Sequence, residues 1–191
     1  KKESPVSNYL LLCEHPHVIT LGKFGKQNNL IVSPEILKKK GVDFYAIDRG
    51  GDITYHGPGQ LVVYPIIDMD QYKLGVKSYV YLLEQIIIDL LQEYSIVAER
   101  LTGATGVWIN VQRNPQKICA IGIKCSLGIT MHGLAFNINT DVNYFNLINP
   151  CGFTDKSVIS MEKIIGATIN IQVIKEQFIL LFKQAFKNVS I

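Results

Sequence analysis

The sequence has no long hydrophobic run. Its longest apolar stretches, such as Leu10 to Cys13 and Ile86 to Ile88, fall far short of the roughly 20 residues that a membrane helix needs. No signal-peptide pattern opens the chain, so a soluble, cytoplasmic protein is expected, with no membrane partner. Cysteine is sparse as well. The thiols of Cys13, Cys119, Cys125 and Cys151 form no dense disulfide framework in 191 residues, and three of them sit in apolar strand-like runs, so reduced thiols are expected. With no Cys-x-x-Cys and no His-Glu-x-x-His, neither a structural zinc site nor another metal is expected. Excess charge is lacking too: Lys+Arg 19 against Asp+Glu 16 leaves +3. The basic residues are scattered apart from Lys38-Lys39-Lys40, too thin a footprint for nucleic acid. A Gly-x-Ser-x-Gly elbow is missing, which removes the α/β-hydrolase signature. Fixed-period repeats, low-complexity tracts and Pro/Ser-rich linkers are absent, so one domain over residues 1–191 is expected.

What is present is apolar material, 48% of residues, enough for one full core. Three segments have helical spacing. In Ser33-Pro34-Glu35-Ile36-Leu37-Lys38-Lys39-Lys40-Gly41 a capping Ser precedes Pro, an acid sits near the start, lysines near the end and Gly beyond it. From about Lys77 to Tyr94, Val80, Leu83, Ile87, Leu90 and Leu91 recur on one face, and Asn170 is placed to cap a third helix carrying Ile174, Phe178, Leu181, Phe182 and Ala185. Strand-like runs fill much of the remainder: Tyr9 to Glu14, Val18 to Leu21, Val42 to Asp48, Leu61 to Ile67, Ile96 to Leu101, Val107 to Val111, Ile118 to Lys124 and Ile129 to Asn137. Several are joined by short Gly- or Asn/Pro-containing links, which suit hairpins. The fold class is therefore read as α+β, a mixed sheet flanked by helices.

Two places concentrate chemistry. Arg49-Gly50-Gly51-Asp52-Ile53-Thr54-Tyr55-His56-Gly57-Pro58-Gly59-Gln60 holds four of the 15 glycines between two apolar strands. It is either a glycine-rich hairpin turn or a loop where a ligand approaches the backbone, and its polar density favours the second. It lacks the Lys-Ser/Thr ending of a phosphate loop and the strand-to-helix context of a dinucleotide fingerprint. Cys151, in Asn149-Pro150-Cys151-Gly152, sits in a turn, where a thiol gains little from packing. It is a half-buried turn cysteine or a nucleophile, and a nucleophile requires a cation beside it: Lys117, His132, His56 or Lys124. Cys13 and Cys119 read as core residues, and Cys125 is ambiguous.

Together these blocks resemble the octanoyl-acyl-carrier-protein:protein N-octanoyltransferase family, also called lipoyl(octanoyl) transferases. The match runs through Glu14-His15-Pro16-His17-Val18-Ile19-Thr20-Leu21-Gly22, through Arg49 to Gln60 with Leu61-Val62-Val63-Tyr64-Pro65, through Lys117-Ile118-Cys119-Ala120-Ile121-Gly122 and His132-Gly133-Leu134-Ala135-Phe136-Asn137, to Asn149-Pro150-Cys151-Gly152. The resemblance implies a fold shared with biotin and lipoate protein ligase catalytic domains. It also implies transfer, without ATP or another cofactor, of an octanoyl (or lipoyl) group from acyl carrier protein to a lysine of a lipoyl domain, the first step of protein lipoylation. Acceptors would be the lipoyl domains of 2-oxoacid dehydrogenase complexes and the glycine cleavage H protein. Cys151 matches the family's nucleophile, which carries the acyl thioester, and Lys117 the lysine that lowers its pKa. Substrate contacts carry over to Arg49, Gly50, Gly51, Asp52, Ile53, Thr54, Tyr55 and His56, to Ala120, Ile121 and Gly122, and to Gly133, Leu134 and Ala135. Relatives in this family have a strand and a helix before the block matching Glu14, where only thirteen residues stand here, so a sheet edge without them is expected.

The residue types suit the chemistry. Thioester-to-amide transfer needs a soft nucleophile and then a base for the incoming ammonium, and a Cys–Lys pair supplies both. Small residues at Gly133 and Ala135 are expected to leave an apolar slot for the eight-carbon chain. His132 either orients the site or is a satisfied buried histidine. Two other functions remain: an ATP-dependent lipoate or biotin ligase, whose glycine block typically carries a further Gly, and an inactive module that docks lipoyl domains.

Overall fold

The computed structural model of the chain describes residues 7–149 and 157–187. Two sheets organise it. The larger runs β1 (Tyr9–Cys13), β5 (Gln60–Ile66), β9 (Ile129–Asn137), β8 (Gln116–Ser126), β7 (Ala104–Ile109), β6 (Glu99–Leu101), with β10 (Ser157–Val158) paired to β8. The smaller has the order β3 (Asp43–Ala46), β2 (Val18–Leu21), β4 (Ile53–His56). Most pairs are antiparallel, but β10 runs parallel to β8 and β3 parallel to β2. The mixed α+β fold expected from the sequence is the one observed.

The long β8–β9 hairpin turns on Leu127 and Gly128, with φ of 50° and 78°. Two consecutive positive φ values make the turn whose twist matches that of the flanking strands. It sets a register that pairs Ala120 with Ala135 and Gly122 with Gly133.

Helices α2 (Val76–Glu93) and α4 (Ile171–Lys187) pack together on one face of the large sheet. Their stripes of Leu83, Ile87, Leu90 and Leu91 and of Ile174, Phe178 and Phe182 meet Leu61, Val63, Ile118, Leu134 and Phe136 in one core. Full burial of each such side chain stabilises by about 1.5–3 kcal/mol. The small sheet has its own core, in which Ile19, Tyr55, Leu147 and Ile148 meet Leu37 of α1 (Pro34–Lys39).

The stop signals hold with one exception. Gly41 follows α1 with φ 64°, and the Asn170 carboxamide accepts from the Gln172 N–H at 3.0 Å, capping α4. Ser33 stands at the N-cap of α1, but its side chain makes no capping bond; it bonds Glu35 instead and lowers that carboxyl's pKa. Strands β4 and β10 and the one-turn helix α3 (Met161–Ile165) were not anticipated. No helix among the described residues is long and apolar enough to cross a membrane.

The sheets meet where glycine permits it. The Gly50 N–H donates to Ile123 O at 3.0 Å. A Cβ on Gly50 would stand 2.7 Å from that oxygen, and one on Gly122 2.6 Å from Gly50 O. Neither position tolerates a side chain without parting the sheets.

Candidate active site

Between the two sheets lies a cavity of about 630 Å³, within the range of small-molecule sites. Of the proposed substrate contacts, Arg49, Gly51, Asp52, Ile53, Thr54, His56, Ala120, Ile121, Gly122, Gly133, Leu134 and Ala135 line it, and so does Lys117. Gly50 and Tyr55 do not. Gly50 instead forms the inter-sheet contact, and Tyr55 faces the small core. Its hydroxyl meets His17 Nδ1 at 2.7 Å, its ring stacks on Tyr144 at 5.0 Å, and burial pushes its pKa up. Strand alternation explains the split: Thr54 and His56 point one way and Tyr55 the other. Cys151 lies outside the described residues.

His56 is held by a defined network. Gln60 Nε2 donates to Asn137 Oδ1 at 2.9 Å and to Tyr55 O at 3.2 Å, so its Oε1, 2.8 Å from His56 Nδ1, accepts. Nδ1 therefore carries the proton and Nε2 offers a lone pair 3.5 Å from Thr20 Oγ1, an assignment made from the hydrogen-bond network. Desolvation depresses the His56 pKa to about 4, with Gln60 opposing and the Arg49 charge reinforcing it. The imidazole is neutral.

Arg49 is a buried tie. Its guanidinium donates to Thr20 O at 2.7 Å, to Thr20 Oγ1 at 3.0 and 3.2 Å, and to Gly50 O at 3.1 Å. These bonds lock the glycine-rich segment to β2. Asp52 shapes the same turn: its carboxylate accepts from Asn29 Nδ2 at 2.6 Å and from its neighbour's amide, Ile53 N, at 2.7 Å.

On β8 and β9 a stripe of small residues, Ala120, Gly122, Gly133 and Ala135, runs along the cavity, while Ile121 and Leu134, which also border it, pack with the helix core. Gly133 has a further reason to lack a side chain. An ideal Cβ would come 2.0 Å from Val63 O of β5, so its smallness answers the neighbouring strand as well as a ligand.

The four cations considered as neighbours of Cys151 differ in their surroundings. Lys124 and His132 both bond Asp48, His132 Nε2 at 2.8 Å. Those two bonds, Lys124 first, lower the Asp48 pKa to about 2. His132 is thus a cavity-lining residue oriented by a carboxylate, neither buried nor loose, and its φ of 60° within a strand is strained. His56 is neutral. The Lys117 ammonium lies 4.6 Å from the centre of the Trp108 ring, whose face attracts a cation. Lys117 pairs across β7 with Trp108 and across β10 with Val158.

Of the two thiols read as core from the sequence, Cys119 is a core residue, whereas Cys13 is only partly buried and belongs to neither core. Cys119 is fully buried and desolvation pushes its pKa up. Cys125 packs against the core. Cys13 is raised mainly by burial, although its Sγ lies 3.6 Å from His15 Nε2, which in turn meets the Tyr64 hydroxyl at 2.7 Å. Sequence reasoning gave no site role to Tyr64, Trp108 or Thr105, all of which line the cavity. Trp108, the single tryptophan, was the one compositional signal available.

Residues 1–183 match a family described as the lipoyl protein ligase A/B catalytic domain. An octanoyltransferase of Parabacteroides distasonis is 50% identical over 188 residues, covering 97% of this chain and 84% of that protein. One from Bacteroides fragilis is 52% identical over 171 residues, 89% of this chain and 77% of the relative. Among solved structures, the bi-partite lipoate protein ligase of Thermoplasma acidophilum has a TM-score of 0.75 at 17% identity, over 95% of this chain and 72% of that one. A lipoate-protein ligase A bound with ATP has 0.76 at 16%, over 95% and 74%. At such identities these structures share the fold.

Proposed function

Since this chain belongs to the lipoyl protein ligase A/B catalytic domain family, we propose that it is an octanoyltransferase, an acyltransferase that places an octanoyl group on a lysine of lipoyl domains. The observation that carries the reading is convergence. Arg49 and Gly133, 133 − 49 = 84 positions apart, belong to blocks that surround one cavity, into which Lys117 also projects. Half of all residues are shared with octanoyltransferases along nearly the whole chain.

In this reading octanoyl-acyl carrier protein is the donor, and a cytoplasmic location goes with it. The Cys151 thiolate attacks the donor thioester carbonyl; its new C–S bond forms as the carrier's C–S bond breaks, and the carrier thiolate takes up a proton from the Lys117 ammonium, which is left neutral. The ammonium of Lys117 stabilises the Cys151 thiolate beforehand. In the second half-reaction the acceptor lysine, as a neutral amine, attacks the acyl-enzyme; the amide forms, and the Cys151 thiolate departs. Lys117 takes the acceptor's proton. The acyl chain lies along the Ala120, Gly122 and Ala135 stripe, opposite Thr54 and the neutral His56. Support for pairing Lys117 with Cys151 is that Val158, 158 − 151 = 7 positions after the cysteine, pairs with Lys117.

Intact-mass measurement tests the proposal. Incubation with octanoyl-acyl carrier protein without ATP should add one octanoyl group to the enzyme, and a lipoyl domain added next, or the glycine cleavage H protein, should remove it. Labelling that requires ATP and free octanoate would make the chain a ligase. No adduct and no transfer would make it a docking module.

A further inference from the structure

We propose that Glu84, on helix α2, is a positioning residue that holds the groove in which Lys117 lies; the proposal rests on the role given to Lys117 above. Glu84 is a carboxylate in an apolar setting, 7% exposed beside the fully buried Leu83 and Ile87. A charge at that depth is unfavourable unless its oxygens are bonded. Both are. Oε2 accepts from Arg100 Nε at 3.0 Å, and Oε1 accepts from the Gly106 N–H of β7 at 2.9 Å. Arg100 is anchored in turn, 3.5 Å over the Tyr81 ring and bonded to Tyr81 O and Gln85 Oε1 at 2.9 Å. A stabilising ion pair would need only Arg100. The second bond, to a strand amide, reaches toward the cavity.

Gly106 has φ 120°, which side-chain-bearing residues rarely adopt. A Cβ there would stand 2.5 Å from Cys119 O and 3.5 Å from both Cδ and Cε of Lys117. The lysine stem therefore crosses directly over this glycine, and its ammonium ends above Trp108, two residues further along β7. Between Val107 and Trp108 the register on β8 shifts. A bulge of this kind re-aims side chains, and here it brings Trp108 opposite Lys117. Glu84 thus fixes the peptide at the start of the irregularity that gives Lys117 its course. Because Arg100 balances its charge, Glu84 acts through the Gly106 bond.

The test uses Glu84→Leu and Glu84→Gln, alone and with Lys117→Ala, and follows single-turnover acylation by octanoyl-acyl carrier protein. Glu84→Leu should slow acylation about 10- to 100-fold, as misplacing a catalytic group by about 1 Å does, with donor half-saturation changed less than about threefold. In the Lys117→Ala background the same substitution should cost less than about twofold, because two residues acting through one group do not add. Glu84→Gln keeps an acceptor for Gly106 and should stay within about threefold of wild type. The single tryptophan gives a second readout: the emission difference between the parent and its Lys117→Ala version should persist with Gln at 84 and collapse with Leu. Equal losses in both backgrounds overturn the proposal. If Glu84→Leu fails to fold, Glu84→Gln decides it, because loss of the Lys117-dependent emission difference at unchanged melting temperature overturns it and retention supports it. Wild-type acylation by Lys117→Ala alone would instead refute the role of Lys117, which separates the two failures.

Discussion

Consider the neutral imidazole of His56 as the pH is lowered from about 7.5 to about 5. Its folded pKa is depressed to about 4 against about 6.5 in the unfolded chain. The unfolded state therefore takes up the proton first, so stability is full above about pH 6.5 and falls until about pH 4. At pH 5 the proton-binding difference amounts to about 2 kcal/mol; because the ring is half-buried and its field partly screened, about 1–2 kcal/mol is expected. For a chain of this size that lowers the melting temperature by about 2–8 °C. Asp48, held at about 2, titrates below this window and does not contribute. The assay is thermal unfolding of wild type and His56→Gln at both pH values. Glutamine does not titrate, so whatever the substitution does at pH 7.5, the acid-induced drop should shrink by most of that amount. Equal drops in the two proteins would show that His56 is not held neutral by burial.

Cys151→Ala should abolish transfer, whereas Cys13→Ala, Cys119→Ala and Cys125→Ala should each retain the covalent step; peptide mass mapping of the acyl adduct to another cysteine would contradict this. Lys117→Arg keeps a cation for the thiolate but removes the base, so transfer to the acceptor should slow by about 10²–10⁴ while thioester formation slows less and acyl-enzyme accumulates; near-normal transfer from preformed acyl-enzyme in single-turnover experiments would reduce the lysine to a charge. Gly122→Ala would place its Cβ 2.6 Å from Gly50 O and should destabilise by about 1–3 kcal/mol in denaturant titration, whereas unchanged stability would mean that the sheets separate freely there. If exposed Lys23 and Lys26 recognise an acidic carrier protein, its apparent KM should rise as salt shortens the Debye length from about 10 Å at 0.1 M, and a salt-independent value would remove that docking model.

Much of this fold follows from periodicity alone, and its exceptions have local causes. Helices α2 and α4 are long and one-sided, so their apolar stripes show without any knowledge of what they cover. Helix α3 spans five residues and ends at Gly166, φ 77°, too few turns for a period to register. Strand β4 was hidden by composition: it lies within a segment rich in glycine and polar residues, and it is a strand because Val18–Leu21 pairs with it from more than thirty positions away. Glu84 and Trp108 escaped for a related reason, since what they do depends on the register of β7 against β8 and on a bulge within it.

The same strand accounts for the one aromatic residue misplaced in the site. Arg49 to His56 was carried over as a contiguous set of substrate contacts, as suits a loop whose residues all approach a ligand. Once residues 53–56 pair with β2, the period of two puts Thr54 and His56 against the cavity and turns Tyr55 into the small core. There Tyr55 stacks on Tyr144 and leaves no room for a side chain at Gly57, where a Cβ would stand 1.9 Å from the Tyr55 hydroxyl. Tyr55 thus shapes the turn that returns the chain to β5, while its two neighbours on β4 face the cavity.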